Sequence, residues 1–314
     1  MAGGADGLCT SSLLEAYEVC DLAFPKPCIV LGNVSSEEIS QGLPPNIELT
    51  AHSPEQAERF EQLDLTFHLN LNTGLNRGGF SQIPDRISAS CVGVMTQLAH
   101  GHLDSERALR EFDSFSTQTR HLAGRLLRHA ASSGSYLSAE ATWLDAVRIG
   151  QLILGLKPRS AGQMELALTP AMSWTTHIVQ VEPISAGQSV GYGATYRTDR
   201  KGWLGILPIG YADGLLTALQ GSTVRVSGSS SRLCAVSMDS AVVFLDDAAP
   251  IGTEVTLVGP GVSIDDHARV VGANNVEISV ASSAATSRGR RSFVGRAIGH
   301  QSGSSIRGAR GELE

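Results

Sequence analysis

The stretch of sequence that decides the fold runs from residue 46 to residue 72, NIELTAHSPEQAERFEQLDLTFHLNLN. Its two ends, 46–50 and 66–72, are short runs with the composition of strands. Between them, Ser53 followed by Pro54 has the signature of a helix start, a capping serine with proline at the first helical position. A strand, a helix and a second strand in this order predict parallel pairing of the two strands.

The same rhythm extends through the first half of the chain. Further strands are predicted at 27–33, 90–96 and 146–154, and a long amphipathic helix is predicted from about Ser105 to Ala130. Strand and helix units repeated in this way predict a (β/α) barrel domain over residues 1–160.

The texture of the sequence changes at about residue 161. Short strands separated by glycine-rich turns are predicted at 177–182, 202–207, 223–226, 241–245 and 254–258. We therefore expect an α/β barrel followed by a mostly β domain over residues 161–314, with the junction near Lys157. The segment from about residue 283 is rich in Ser, Gly and Arg, and we expect it to be loose.

Composition excludes several classes of protein. The 314 residues are 42% hydrophobic and 18% charged, and no apolar run approaches the roughly 20 residues that a membrane helix needs. The net charge of −7 argues against a nucleic-acid partner. The five cysteines lack metal-ligand or disulfide spacing, and the N-terminus lacks a secretory signal pattern. We expect a cytoplasmic globular protein with reduced thiols and without a metal or membrane partner.

One tyrosine has a sequence context that suits chemistry. Tyr211 follows the apolar run 203–210 and precedes Ala-Asp-Gly214, where a strand must turn sharply. A phenol held by such a turn can act as an acid or a base. The alternative is an ordinary strand followed by a turn, and this segment alone does not decide between the two.

Four segments occur in a fixed order: FHLNLNTGLNRGGF at 67–80, DAVRIG at 145–150, GYGATY at 191–196 with GYADG at 210–214, and VSMD at 236–239. Together they resemble the alanine racemase family, pyridoxal-phosphate enzymes that interconvert L- and D-amino acids and consist of a barrel and a β domain. The resemblance covers nearly the whole chain from Gly4. It implies racemisation of alanine or a related small amino acid, by a homodimer with shared active sites.

The resemblance implies a role for one residue as a base and for another as a contact to the cofactor ring. Tyr211 matches the tyrosine base that each subunit contributes to its neighbour's site, and Arg148 matches the arginine that faces the pyridine nitrogen of the cofactor. Because an arginine keeps its proton, the ring nitrogen stays unprotonated, which favours reprotonation over transamination. From the residues alone, Arg148 could instead pair with a carboxylate such as Asp145.

The resemblance also assigns the contacts to substrate and phosphate. Arg77 matches the arginine near the substrate carboxylate, a bidentate role, and Met238 and Asp239 match the segment that holds that carboxylate. Asn70 stands where many family members carry a carbamylated lysine, as in the broad-specificity branch where a small anion can serve. The phosphate cradle is assigned to Ser138 and the backbone amides of Gly150 and Gln151.

The chain departs from the family pattern at several positions. The family lysine that forms the Schiff base lies on the first barrel strand, and the only lysines here are Lys26, Lys157 and Lys201. We therefore expect a barrel that lacks its first strand. Gln97 and Val276 replace a histidine beside the cofactor ring and a tyrosine at the phosphate. The alternative to a racemase is a catalytically inactive, truncated or degenerate family member that acts as a dimeric binding or regulatory protein.

Overall fold

The computed structural model describes residues 4–21, 25–40, 42–101, 104–138, 142–162, 164–284 and 290–293. In the first half, strands alternate with helices. The strands are β1 (Leu8–Thr10), β2 (Cys28–Val30), β3 (Ile47–Ala51), β4 (Phe67–Asn70), β5 (Cys91–Met95), β6 (Leu127–Ser132) and β7 (Ala146–Arg148). The helices are α1 (Leu13–Asp21), α2 (Ser36–Ile39), α3 (Pro54–Gln62), α4 (Ser105–Thr119) and α5 (Ser133–Ser138).

These seven strands form one parallel sheet in sequential order, from β1 at one end to β7 at the other. The sheet curves until its ends approach each other. Desolvation raises the pKa of the Cys9 thiol on β1, and the charge of Arg148 on β7 lies close enough to oppose this rise. The predicted barrel is confirmed as a nearly closed, barrel-like sheet of seven strands.

The helix α3 begins where the sequence predicts. The Ser53 side chain accepts a hydrogen bond from the Gln56 amide. Pro54 occupies the first turn, where a backbone N–H would have no acceptor within the helix. Phe60 turns inward from this helix, and its ring centroid lies 5.8 Å from that of Phe67 on β4. Contacts of this kind hold the helix on the outside of the barrel.

The predicted helix over 105–130 is wrong in its last third. α4 ends at Thr119, a short 3₁₀ turn follows, and Gly124 takes a φ of 74° that an α-helix does not allow. The chain then enters β6, so Leu127 lies on a strand. The predicted strand over 146–154 is also shorter than expected, because turns begin at Gln151.

The second half contains two antiparallel sheets and two helices. Its strands are β8 (Met172–His177), β9 (Gln180–Ile184), β10 (Ser189–Val190), β11 (Tyr196–Arg197), β12 (Gly202–Leu207), β13 (Thr223–Val226), β14 (Ser229–Val236), β15 (Ala241–Leu245), β16 (Glu254–Val258) and β17 (Arg290–Phe293). The larger sheet has the order β17-β8-β16-β13-β14-β15-β12-β9. Its core contains Trp174, Leu207, Val243 and Val255, which confirms the predicted β domain.

The helices α6 (Ile264–Val271) and α7 (Asn275–Ala284) pack on this domain and were not predicted. The segment predicted to be loose contains the end of α7 and the strand β17, which pairs with β8. Its other residues, 285–289 and 294–314, lie outside the described part of the chain. No helix among the described residues has both the length and the apolar composition that a membrane crossing requires.

Candidate active site

Arg148, the last residue of β7, is held by hydrogen bonds from two neighbouring strands. Its Nη1 donates to Nδ1 of His129 at 2.9 Å and to the His129 carbonyl at 3.0 Å. Its Nη2 donates to three oxygens, the Thr96 carbonyl at 2.7 Å, Gln97 Oε1 at 3.1 Å and the Ala130 carbonyl at 3.3 Å. These bonds fix the guanidinium at the carboxyl end of the barrel strands, which is the end where barrel enzymes carry out chemistry.

The interpretation in which Arg148 pairs with Asp145 is wrong. The Asp145 carboxylate accepts instead from Arg128, with its Oδ2 3.2 Å from Nε and 2.9 Å from the backbone amide. The Nε–H of Arg148 has no hydrogen-bond acceptor among the described residues, so one donor remains for a ligand.

Burial sets the electrostatics around this arginine. It lowers the pKa of Arg148 to about 10, and the Cys9 thiol opposes the change. Burial also lowers the pKa of His129 well below its ordinary value, and the Arg148 charge and His68 add to this effect. The His129 ring is therefore neutral, and its Nδ1 is available to accept from Arg148.

The hydrogen bonds continue across the barrel interior beyond His129. Nε2 of His129 lies 2.9 Å from Nδ1 of His68, and Nε2 of His68 lies 2.7 Å from Oε2 of Glu48. Gly93 makes room for this arrangement, because a Cβ at that position would lie 2.0 Å from Nδ1 of His68. Neither Glu48 nor the two histidines were among the residues predicted for the site.

A serine meets the backbone amides that follow β7, but it is not the predicted one. The amides of Gly150 and Leu152 donate to Oγ of Ser133, at 3.2 and 3.4 Å. The Ser138 hydroxyl donates to the Gly134 carbonyl within α5 at 3.0 Å. The signal that could have identified Ser133 is its position at the start of a helix directly after a strand, and the extended helix prediction over 105–130 hid that strand.

Gln151 connects this loop to the second domain. Its Nε2 donates to Oδ1 of Asn275 at 2.6 Å, while Nδ2 of Asn275 donates to the Lys157 carbonyl at 2.9 Å and to Oδ1 of Asp265 at 2.5 Å. Asn275 is buried at the first position of α7. The loop after β7 is thus bonded to α7 and, through Asn275, linked to α6.

Asn70 and Arg77 form a second group with His52. Nδ2 of Asn70 lies 3.0 Å from Nδ1 of His52, and Nε2 of His52 lies 3.0 Å from the Leu31 carbonyl. Burial lowers the pKa of His52, and the nearby charge of Arg77 adds to this. The Arg77 side chain is exposed, and Asn70 is buried. His52 links the two, because it is hydrogen-bonded to Asn70 and lies near the Arg77 charge.

Tyr211, Met238 and Asp239 lie together in the second domain. The Tyr211 amide donates to the Ser237 carbonyl and the Ala212 amide to the Met238 carbonyl, both at 2.9 Å. Gly210 permits this approach, since a Cβ there would lie 2.4 Å from the Met238 carbonyl. Tyr211 is 47% and Met238 59% exposed.

Arg148 has no hydrogen bond to any of these three residues in the described part of the chain. Among the described residues, no hydrogen bond joins the Tyr211 phenol to the barrel. The predicted site residues therefore fall into a barrel group and a β-domain group.

Lys26 and Lys201 lie outside the loops at the Arg148 end of the barrel, whereas the Lys157 carbonyl accepts from Nε2 of Gln151, in the loop after β7, at 3.4 Å. Nζ of Lys26 donates to the Ala5 carbonyl at 2.5 Å, just before β2 and thus at the amino end of the strands. Lys157 lies in the linker and Lys201 directly precedes β12. In the described part of the chain, no three His, Cys, Asp or Glu side chains are arranged to hold a metal ion.

A parallel barrel, an antiparallel β domain and an arginine fixed at the carboxyl end of the barrel strands define a class of two-domain barrel proteins. Two family models match the chain, "Alanine racemase, N-terminal domain" over residues 1–158 and "Alanine racemase, C-terminal domain" over residues 171–289. The chain belongs to the alanine racemase family.

Relatives and solved structures agree with this assignment. The chain is similar to alanine racemase of Streptococcus suis, with 32% identity over 307 aligned positions that cover 88% of this chain and 82% of the relative. It is 35% identical to alanine racemase of Streptococcus thermophilus over 80% of this chain and 73% of the relative. The structure of alanine racemase from E. faecalis matches with a TM-score of 0.80 and 27% identity, over 89% of this chain and 82% of that one.

Proposed function

We propose that the chain is an amino-acid racemase of the alanine racemase type, which interconverts the L and D forms of alanine or a related small amino acid with pyridoxal phosphate as cofactor. One observation carries the proposal, the arginine fixed at the end of β7 with its Nε–H unpaired among the described residues. Relatives named alanine racemase support it.

The donors around Arg148 suit the proposed cofactor. Arg148 would face the ring nitrogen, and the amides of Gly150, Gln151 and Leu152 with the Ser133 hydroxyl would hold the phosphate. When bound, pyridoxal phosphate supplies an electron sink for the carbanion left after the α-proton is removed. Arg148 would donate to the ring nitrogen without transferring a proton, because a guanidinium keeps its proton near neutral pH.

The substrate is held and the proton moved by residues of both domains. Racemisation removes a proton from one face of the α-carbon and returns one to the other, so a proton carrier is needed on each face. We assign one carrier to the Tyr211 oxygen and the orientation of the substrate carboxylate to Arg77, with Met238 and Asp239 beside it. Because Tyr211 and Met238 are exposed and have no hydrogen bond to the described residues of their own barrel, we propose a homodimer in which they complete the partner's site.

A second candidate function is favoured by the positions of the lysines. Lys26 lies at the amino end of the barrel strands, Lys201 lies in the second domain, and Lys157 follows the loop after β7, so none of the three is on a described barrel strand. The alternative is a catalytically inactive family member that binds small molecules as a dimer. Both candidates suit the cytoplasm, which the five free thiols support.

The test compares binding with α-proton exchange. The purified chain is titrated with pyridoxal phosphate, followed by visible absorbance, and then incubated with L-alanine in D₂O. We expect exchange of the α-proton by NMR and formation of D-alanine by chiral chromatography. Saturable binding without exchange supports the binding protein, and absence of binding overturns the racemase.

A further inference from the structure

A continuous chain of hydrogen bonds joins β3 to β7 through the barrel interior. It runs from Glu48 through His68 and His129 to Arg148, with distances of 2.7, 2.9 and 2.9 Å. His68 is 0% and His129 1% exposed, and their rings meet edge to face at 4.9 Å between centroids. The two histidines in the middle of this hydrogen-bond series are therefore shielded from water.

The directions of the hydrogen bonds in this series must suit both of its ends, Arg148 and Glu48. A guanidinium can only donate, so Nδ1 of His129 must accept from Arg148. The neutral His129 then carries its proton on Nε2 and donates to Nδ1 of His68, which in turn carries its proton on Nε2. That proton needs an acceptor, and a Glu48 oxygen provides it.

We propose that Glu48 is a positioning residue that fixes the tautomers of His68 and His129 and thereby the orientation of the Arg148 guanidinium. Without an acceptor on β3, a proton on Nε2 of His68 is left unpaired, and a proton on Nδ1 opposes the Nε2 proton of His129, so neither tautomer of His68 is satisfied. His129 would then turn or release Arg148. The effect on the cofactor rests on the proposed function, whereas the orientation of the rings does not.

Among the described residues, Glu48 is the one carboxylate that is hydrogen-bonded to either ring. Gly93 borders His68 so closely that a Cβ would lie 2.0 Å from its Nδ1. Thr50 lies on the same face of β3 as Glu48, two residues further along, and its buried hydroxyl has no hydrogen-bond partner in the described structure. Thr50 therefore provides a matched control.

The experiment reads the histidine tautomers by ¹⁵N NMR of the imidazole rings, in the protein without added cofactor. In the wild type, we expect both rings to carry the proton on Nε2 alone. Glu48→Leu should give mixed tautomers at His68 and His129. Glu48→Gln keeps an acceptor oxygen and should restore the wild-type pattern, and Thr50→Val should leave it unchanged.

A second measurement follows the consequence for the ligand. We expect Glu48→Leu to weaken pyridoxal phosphate binding about tenfold, because a buried donor is left unpaired, and Thr50→Val to bind like the wild type. If Glu48→Leu does not fold, Glu48→Asp withdraws the acceptor by about 1.5 Å, one carbon–carbon bond, and should give the same mixed tautomers.

Two outcomes overturn the inference. One is an unchanged Nε2 pattern in both rings of the folded Glu48→Leu or Glu48→Asp variant, and the other is an equal loss of the pattern in Thr50→Val. If wild-type protein fails to bind pyridoxal phosphate, the proposed function fails, while the tautomer measurement still decides the role of Glu48.

Discussion

The Nη1 atom of Arg148 lies 2.9 Å from Nδ1 of His129, and no carboxylate among the described residues contacts this guanidinium. The arginine is thus oriented by a neutral ring and by carbonyl oxygens, and an ion pair does not neutralise it. Its Nε–H remains without an acceptor among the described residues. A buried charge held in this way is costly for stability, which is common at functional sites.

Replacement of Tyr211 by Phe tests its role in proton transfer. We expect racemisation of alanine to fall about 10²- to 10⁴-fold, the usual contribution of a positioned acid or base. The melting temperature should not change, because the phenol is half-exposed and makes no hydrogen bond to the described residues. Chiral chromatography and thermal unfolding provide the two measurements. Wild-type turnover by the variant would contradict the assignment.

Mixed dimers test whether active sites are shared between subunits. We expect Tyr211→Phe and Arg148→Ala to be inactive as separate homodimers. After mixing and subunit exchange, one site of each heterodimer contains both native residues, so activity should return to about a quarter of the wild-type value. No recovery despite subunit exchange, shown by native mass spectrometry, would place both residues in one subunit's site.

A pair of serine variants tests the phosphate cradle. Ser133→Ala removes the hydroxyl that contacts the amides of Gly150 and Leu152, and we expect pyridoxal phosphate affinity to fall by about 0.5–1.5 kcal/mol. Ser138→Ala should bind like the wild type, because its hydroxyl bonds within α5. Absorbance titration measures both. A larger loss of pyridoxal phosphate affinity in Ser138→Ala than in Ser133→Ala would support Ser138 as the phosphate-binding serine.

Stability should depend on pH through three histidines whose pKa is lowered in the folded state. Burial lowers the pKa of His52, His129 and His267 in the folded state. Since the unfolded chain takes up these protons first, at about pH 6.5, the histidines stabilise the fold fully above that pH and less as the pH falls. Urea unfolding should show a loss of up to about 1.4 kcal/mol per pH unit for each histidine.

The variant His267→Gln isolates one of these histidines. It should reduce the slope of unfolding free energy against pH by one proton, while leaving the Arg148 region intact, because His267 bonds to the Leu257 carbonyl in the second domain. A free energy of unfolding that is constant between pH 7.5 and 5.5 would refute this explanation.

Gly93→Ala tests the tight packing beside His68. The added methyl group would lie 2.0 Å from Nδ1 of His68, so the ring must move and the barrel should lose about 1–3 kcal/mol of stability. Gly150→Ala serves as a control for stability alone, since a Cβ there meets nothing within 4 Å. Equal unfolding free energies for the two variants would contradict the packing.

Local signals in the sequence predicted much of the fold. The start of α3 follows from Ser53 and Pro54, because capping depends on neighbouring residues. The strand β6 was missed because the apolar residues Leu122, Leu126 and Leu127 also fit helical spacing, and Gly124 gave too weak a signal against them. The domain boundaries at residues 160 and 161 stay a prediction, between the end of β7 and the start of β8.

The sequence by itself determined the family, through four ordered motifs, and the turn that exposes Tyr211, through the glycines on either side of 211–213. Only the tertiary structure joined Arg148 to Glu48, and only it placed Ser133 against the Gly150 amide. His68 and His129 are 61 residues apart in the chain, and their contact depends on β4 and β6 lying on either side of β5 in the sheet. Hydrogen bonds of this range leave no periodic or local trace in a sequence, because their geometry is set by strands that are neighbours only in space.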